Sequence, residues 1–297
     1  MNFMTRLSAA VLLAACGANA QLGLFNAEQR RAITREWTGE RFEDGRPKVA
    51  DTVLERLKTA TAEEAWSVLR QSRYMHQFEG GWQEINPDGQ RLVGRVVTAV
   101  FLPARPDFHS YVAETGKQEG RVSTGQNSWV IDTLQPGDVL VVDMFGKVKD
   151  GTFVGDNLAT SVYTKTKTGL VVNGGVRDVS GIQEIKGFKA FVRGSHPSAI
   201  ADLTLAGINV PIRIGEVTVM PGDVVVSDPE GLTFIPPHLA EKVADASERT
   251  QLRDTWGHQM LRDGKYTPGQ IDTRWTPQME EEFKRWAEQE KARRRRP

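Results

Sequence analysis

The sequence predicts a layered α/β domain, and three observations lead there. Short apolar runs bounded by turn residues recur from residue 136 onward (VLVVDMF at 139–145, GLVVNG at 169–174, AFVRG at 190–194, VPIRI at 210–214). Helix-length segments separate the first three (NLATSVYTKTK and DVSGIQEIK), which gives a β-α-β-α-β order. Continuous rather than alternating apolar runs fit strands buried on both faces. The chain has 297 residues, 39% of them hydrophobic, enough for one large domain or two small ones.

From the N-terminus, residues 1–20 read as an export leader. MNFMTR carries one arginine, LSAAVLLAA is a brief apolar stretch, and ANA before Gln21 is an A-x-A cleavage pattern. Within it, residues 13–17 (LAACG) resemble a bacterial lipobox with Cys16 as the lipidated residue. Cleavage after Ala20 predicts a periplasmic protein, and cleavage before Cys16 an outer-membrane lipoprotein with a lipid anchor. Cys16 is the single cysteine, so the folded body holds no disulfide and no thiolate chemistry.

Residues 28–38 and 50–69 space their apolar side chains as amphipathic helices do (Val53, Leu54 and Leu57; Ala65, Val68 and Leu69). Residues 92–102 (LVGRVVTAVFL) form a β-branched run for a buried strand. Residues 104–125 are polar with three glycines and read as an inserted loop with one helical turn at most. A short repeat, QPGDVLVVD at 135–143 and MPGDVVVSD at 220–228, predicts two Pro-Gly-Asp turns that each feed a strand. Beyond Pro237 the chain becomes helical (239–253, 277–291) and ends in ARRRR before the last residue, which reads as a solvated terminus. Thirty-eight basic residues balance thirty-eight acidic ones, which argues against nucleic acid as a partner.

Two strand-to-helix junctions carry the candidate chemistry. In the first, Gly155-Asp156-Asn157-Leu158, the glycine allows close backbone approach, and the free N–H groups of the following helix suit an anion. In the second, Gly174-Gly175-Val176-Arg177-Asp178, two glycines leave room for a ligand while an arginine and an aspartate meet it. Ligands in open α/β sheets sit at such carboxyl ends of strands. An aspartate supplemented by water makes a hard oxygen site of the kind Mg²⁺ takes. An adjacent arginine suits a 2-oxo acid and its developing enolate charge. The competing roles are a helix N-cap for Asp178 and a surface salt bridge for Arg177.

GDNLAT (155–160), GLVVNGGVRDVSGIQEI (169–185), FVRGSHPSA (191–199) and VPIRIGEVTVMPGDVVVSDPEGLTFIP (210–236) together resemble the RraA-like family. That family includes metal-dependent 4-hydroxy-4-methyl-2-oxoglutarate aldolases and regulators of ribonuclease activity. The resemblance implies a β/β/α swivelling-type domain over residues 21–238 and a helical extension over 239–297. It implies Asp178 as the ligand to Mg²⁺ or Mn²⁺, and Arg177 on the substrate carbonyl and carboxylate. Asp156 would hold a water for proton transfer, and the backbone N–H groups of Asn157 and Leu158 would bind the pyruvate carboxylate beside Gly155. It further implies a homotrimer or homohexamer with an acidic residue borrowed from a neighbouring C-terminal region, for which Glu248 is the candidate. The sparse apolar spacing of the C-terminal helices suits packing on a neighbour.

The leading functional expectation is a lyase that cleaves or decarboxylates a 2-oxo acid through a pyruvate enolate. The alternatives are a non-catalytic binding or regulatory protein, and an exported lyase for a sugar- or aromatic-derived acid. The 104–125 insertion places His109, Tyr111, Glu114 and Lys117 as candidates to line the pocket, with a solvated loop as the plainer role. His196, His76, His238 and His258 read as structural.

Overall fold

The computed structural model describes residues 25–87, 90–121 and 125–294. The leader and Cys16 lie outside these residues. No described helix is long and apolar enough to cross a membrane.

A parallel ladder forms the centre. Strands β3 (Val93–Pro103), β4 (Asp138–Thr152), β5 (Gly169–Val176) and β6 (Lys189–Ser195) lie side by side in that order. The crossovers are α4 (Pro106–Gln118) with α5 (Gln126–Asp132), then α6 (Asp156–Thr166), then the short α7 (Val179–Gln183). One face of the ladder presents Val97, Phe101, Leu140, Val142, Leu170 and Val172 to these helices. The other face presents Val96, Val139, Val141, Val171 and Phe191 to a second β layer. That layer is the two-stranded hairpin of β8 (Ile212–Ile214) and β9 (Val217–Val219), while β10 (Val224–Asp228) and β11 (Gly231–Ile235) extend the ladder's own sheet, β10 running antiparallel to β3. Both faces are therefore dry, which is why the strands read as unbroken apolar runs. The result is the layered α/β domain that the sequence predicts, a central mixed sheet with helices on one face and the β8–β9 hairpin on the other, in keeping with the β/β/α class that the family resemblance implies.

The sheet continues through short or antiparallel strands: β1 (Phe78–Glu79) on β11, β2 (Gln83–Glu84) on β6, and β7 (Leu203–Ile208) on the outer half of β3. At the N-terminus, α1 (Ala27–Ile33) is closed by a capping box in which Asn26 and Gln29 exchange hydrogen bonds.

Residues 50–69 form two helices rather than one, α2 (Asp51–Leu57) and α3 (Ala62–Gln71). Thr61 starts the second: its hydroxyl accepts the Glu64 N–H and the Glu64 carboxylate accepts the Thr61 N–H. The T-A-E-E spelling carries this signal, but the apolar periodicity runs straight through it.

The inserted segment is a 13-residue helix, α4, and not a loop. Pro106 occupies its first turn, where a missing N–H costs nothing. Gly116 weakens the local helical signal, yet it is the residue the packing requires, because a Cβ there would overlap the Trp129 ring. Tyr111, Glu114 and Lys117 point to solvent, and His109 is bonded to Thr204 Oγ1 at 2.9 Å.

The C-terminal helices find their partners within the chain. Helix α8 (Ala240–Arg262) buries Ala240, Val243 and Ala244 against α2, α3 and β10. Its second half places Trp256 and Met260 on Trp275 and on Met279 of α10 (Pro277–Arg294), across the short α9 (Pro268–Ile271). Arg253 stacks 3.7 Å from the Trp275 ring. The apolar residues look sparse because each half of α8 faces a different cluster. Glu248, the acid expected to serve a neighbour, accepts Arg56 Nε at 2.6 Å within its own chain.

The two Pro-Gly-Asp turns are structurally equivalent. Gly137 and Gly222 both adopt positive φ, +78° and +89°. Asp138 Oδ2 accepts the Gln135 N–H at 2.9 Å, and Asp223 Oδ2 accepts the Met220 N–H at 2.8 Å. They differ in charge compensation. The Arg46 guanidinium reaches both oxygens of Asp138 at 3.1 Å, whereas among the described residues no cation pairs with Asp223. Burial pushes the Asp223 carboxyl up to about 8 from its reference of 3.8. Between those values the folded state binds the extra proton. The stability this group contributes is thus complete below about pH 4 and is lost as pH rises through about 8. Asp223→Asn removes this dependence. Against the variant, the wild type is expected to lose up to about 1.4 kcal/mol per pH unit across that window. Urea melts at pH 5, 6 and 7 check this, and parallel profiles contradict it.

Candidate active site

The site forms where the chain leaves β4 and β5. After Thr152 the backbone stays stitched to β5: Phe153 N–H donates to Gly175 O at 2.9 Å and Arg177 N–H to Val154 O at 3.0 Å. These two bonds set Gly155 beside Arg177 and Asp178. Gly155 then caps α6 in extended conformation, and Asp156 occupies the first helical turn.

Gly155 is the glycine on which the site depends. A Cβ there would overlap Asp178 Oδ2 and lie 3.4 Å from Arg177 Cγ. Asp156 is brought in from the other side, 2.8 Å from where a Cβ on Gly181 of α7 would stand. The structure therefore gathers Gly155, Asp156, Arg177 and Asp178 around one strand end. Asn157 and Leu158 follow on the first turn of α6. The Asn157 N–H donates to its neighbour's carboxylate, Asp156 Oδ1, at 2.7 Å. Of the two N–H groups expected to hold a carboxylate, that one is already engaged.

The competing roles are weakened by the geometry. Asp178 stands at the N-cap position of α7, but its side chain makes no capping bond. Its backbone is left-handed (φ +53°, ψ +41°), a region that Asp tolerates better than most L-residues. Arg177 Nη1 and Asp178 Oδ2 are 3.6 Å apart, beyond hydrogen-bond length, and both side chains are 43% exposed. Such a pair contributes little to stability. Both groups remain available to a ligand.

Gly174 and Gly175 do not clear space for a ligand. Cβ atoms there would press on the backbone of the β4 excursion, at 3.0 Å from Lys147 O and Val148 O respectively. They admit the chain's own backbone, and β4 shifts register twice to pass over them.

Two further sets of bonds support the site. Asn127, at the start of α5, donates to Phe153 O at 2.7 Å and fixes the segment that leads to Gly155. On the β-layer side, Asn173 donates to Asp143 Oδ1 at 2.9 Å and accepts Arg193 Nε at 3.1 Å. Arg193 also pairs with Glu79 at 2.6 Å and stacks 3.8 Å from the Trp82 ring. The sequence signal was present in VVNGG and FVRG, but the partners lie 30 to 114 positions apart. His196 is structural, as expected, with Nδ1 bonded to Ser198 Oγ at 2.9 Å.

Among the described residues no group of three or more His, Cys, Asp and Glu side chains could hold a metal ion. The two carboxylates fit a hard cation that keeps several waters, the habit of Mg²⁺.

The RraA-like (Aldolase/RraA) family profile matches residues 47–234. A provisionally named 4-hydroxy-4-methyl-2-oxoglutarate aldolase of Halalkalibacterium halodurans is 32% identical over 146 residues, 48% of this chain and 69% of that protein. Protein DlpA of Legionella pneumophila is 27% identical over 180 residues, 60% of this chain but only 27% of that longer protein. Among solved structures, an uncharacterized protein from Pseudomonas syringae superposes with a TM-score of 0.63 at 21% identity, over 80% of this chain and 99% of the other. Streptomyces coelicolor RraAS2, described as an unusual member of the RNase ES inhibitor RraA protein family, gives 0.60 at 25% identity, over 71% and 99%. On the profile match and the shared fold, this chain belongs to the RraA-like family.

Proposed function

We propose that this protein is a carbon–carbon lyase that needs a divalent cation, Mg²⁺ or Mn²⁺, and cleaves or decarboxylates a 2-oxo acid through a pyruvate enolate. The observation that carries it is the convergence of Asp156, Arg177 and Asp178 on Gly155, with neither Arg177 nor Asp178 committed to a structural bond. Similarity to a protein provisionally named as an aldolase supports the reaction class. Asp178 and water would hold the cation, which supplies Lewis-acid polarisation of the substrate carbonyl.

The chain's own groups do the rest. The Arg177 guanidinium holds the 2-oxo acid by its planar fork and meets the negative charge as it grows on the enolate oxygen. The Leu158 N–H, at the positive end of α6, receives the substrate carboxylate. Asp156 retains a water through which a proton reaches or leaves the enolate carbon or the aldol hydroxyl. Its bond to the Asn157 N–H holds the carboxylate toward the helix start.

Arg177→Lys keeps the charge and loses the fork. The expected result is a fall in kcat of about 10²-fold or more, equivalent to about 3–4 kcal/mol of lost transition-state stabilisation, on oxaloacetate or a 4-hydroxy-2-oxo acid. Steady-state kinetics check it, and near-wild-type kcat returns Arg177 to a surface role. A second reading, a binding or regulatory protein without turnover, draws on the similarity to RraAS2. It predicts no product from any 2-oxo acid with any cation. The homotrimer or homohexamer belongs to this proposal through the family resemblance alone, since α8 and α10 are covered within the chain. An active monomer by light scattering would remove it.

A further inference from the structure

The second Pro-Gly-Asp turn opens onto a cavity of about 280 Å³ that has no part in the candidate active site. Its apolar walls come from Ile33 of α1, Trp37 just beyond it, Met220 after β9, and Pro236 with Pro237 after β11. Ile33, Trp37 and both prolines lie outside residues 47–234, so much of the cavity is built from what this chain adds around the family's domain.

The polar groups that line it are mostly acidic or neutral. Asp223 is 2% exposed, bonded on one oxygen to the Met220 N–H, and otherwise without a partner among the described residues. Glu36 stands at the rim, with only a loose, exposed ion pair to Arg35 at 3.7 Å. Tyr74 and His238 face the same space, bonded to each other at 3.3 Å. Burial lowers the His238 pKa, and this disfavours an opposing positive charge. Burial first, then the negative fields of Glu36 and Asp223, raises the Tyr74 phenol, which places both carboxylates near that ring. Among the described residues no lysine or arginine lines the cavity.

The first turn shows what the second lacks. Asp138 occupies the equivalent position, accepts the equivalent backbone N–H, and is neutralised by Arg46. Asp223 has no such arginine among the described residues and lines the cavity instead.

We propose that this cavity binds a small organic cation, a primary amine or guanidine carried on a ring-sized apolar body. The ammonium or guanidinium takes the place that Arg46 holds at the first turn, against Asp223 and within the field of Glu36. The apolar body lies on Trp37, Met220 and the two prolines, with the Trp37 and Tyr74 rings offering faces to the cation. An anionic ligand would meet two carboxylates and no cation. Burial, which pushes the Asp223 carboxyl up to about 8, keeps it mostly the neutral acid at pH 7 in the empty site, and a bound cation makes it ionise. One proton therefore passes from Asp223 to the buffer for each ligand bound at pH 7. A purely apolar pocket gives no such release.

The test is titration calorimetry on the purified protein with benzylamine as probe. It is run at pH 7 in phosphate and in HEPES, whose ionisation heats differ and neither of which is a primary amine, with benzyl alcohol and benzoate as neutral and anionic controls. Benzylamine is expected to bind at least about tenfold more tightly than either control, as charge-assisted hydrogen bonding requires, with a heat that differs between buffers by close to one proton's ionisation. Asp223→Asn preserves the acceptor for the Met220 N–H. It should weaken benzylamine at least about tenfold and abolish the buffer dependence. Should that variant fail to fold, Glu36→Gln at the exposed rim should still weaken benzylamine and leave benzyl alcohol unchanged. No binding of benzylamine at millimolar concentration overturns the proposal. So does equal affinity for benzyl alcohol, binding without proton release, or undiminished binding by the folded Asp223→Asn protein.

Discussion

Asp178→Asn is expected to lower kcat/KM for cation-dependent turnover of a 2-oxo acid by about 10²–10³-fold, while the protein melts within about 0.5 kcal/mol of wild type. The substitution isolates charge from shape. Asparagine enters the left-handed region at least as readily as aspartate, so the φ of +53° at this position is kept. No capping bond is lost, because the carboxylate makes none, and the Arg177 pair at 3.6 Å with 43% exposure on both sides contributes little. The loss that remains is the anionic oxygen offered to a hard cation. Kinetics with saturating Mg²⁺ and Mn²⁺, beside a urea melt, measure both halves. Unchanged kcat/KM would remove Asp178 from the proposed cation site, and a large fall in stability would make it a structural residue.

The largest stability effect is expected at a position far from this chemistry. Arg46 is 1% exposed, spans both oxygens of the fully buried Asp138, and lies 4.5 Å from the Phe42 ring. Arg46→Met fills a comparable volume but strands the Asp138 carboxylate in the core, and breaking a buried pair on one side costs about 3–5 kcal/mol. Adding Asp138→Asn removes the uncompensated charge and should restore part of that loss. Denaturant midpoints of the single and double variants check this. A single variant within 1 kcal/mol of wild type would mean that water or a neighbouring group relieves Asp138.

The parts of this molecule that were legible in its sequence are those whose physics is local. The strands at 139–145 and 169–174 announce themselves because both faces are dry. The junctions at Gly155 and Arg177 were legible as strand-to-helix turns because their glycines and charged residues are adjacent in the chain. What escaped depends on contacts remote in the chain. Helix α4 reads as a loop until Trp129 is seen against Gly116. Gly174 and Gly175 read as ligand space until the β4 excursion is seen lying on them. The C-terminal helices read as unpartnered because Trp256, Trp275, Phe283 and Trp286 build one cluster from well-separated positions. The matching Pro-Gly-Asp turns were visible as a repeat, but nothing local distinguishes the aspartate that has an arginine from the one that faces a cavity.

The most direct test of the proposed chemistry is a cation titration of the wild-type protein. The purified protein is stripped with chelator, its unfolding curve is taken to show that the fold survives, and oxaloacetate decarboxylation and 4-hydroxy-2-oxo acid cleavage are followed by pyruvate release. A site with one direct carboxylate and several waters predicts no pyruvate from stripped protein. It also predicts saturable recovery with Mg²⁺ or Mn²⁺, and no recovery in Asp178→Asn at the same concentrations. Full pyruvate release from stripped, folded protein would contradict the account.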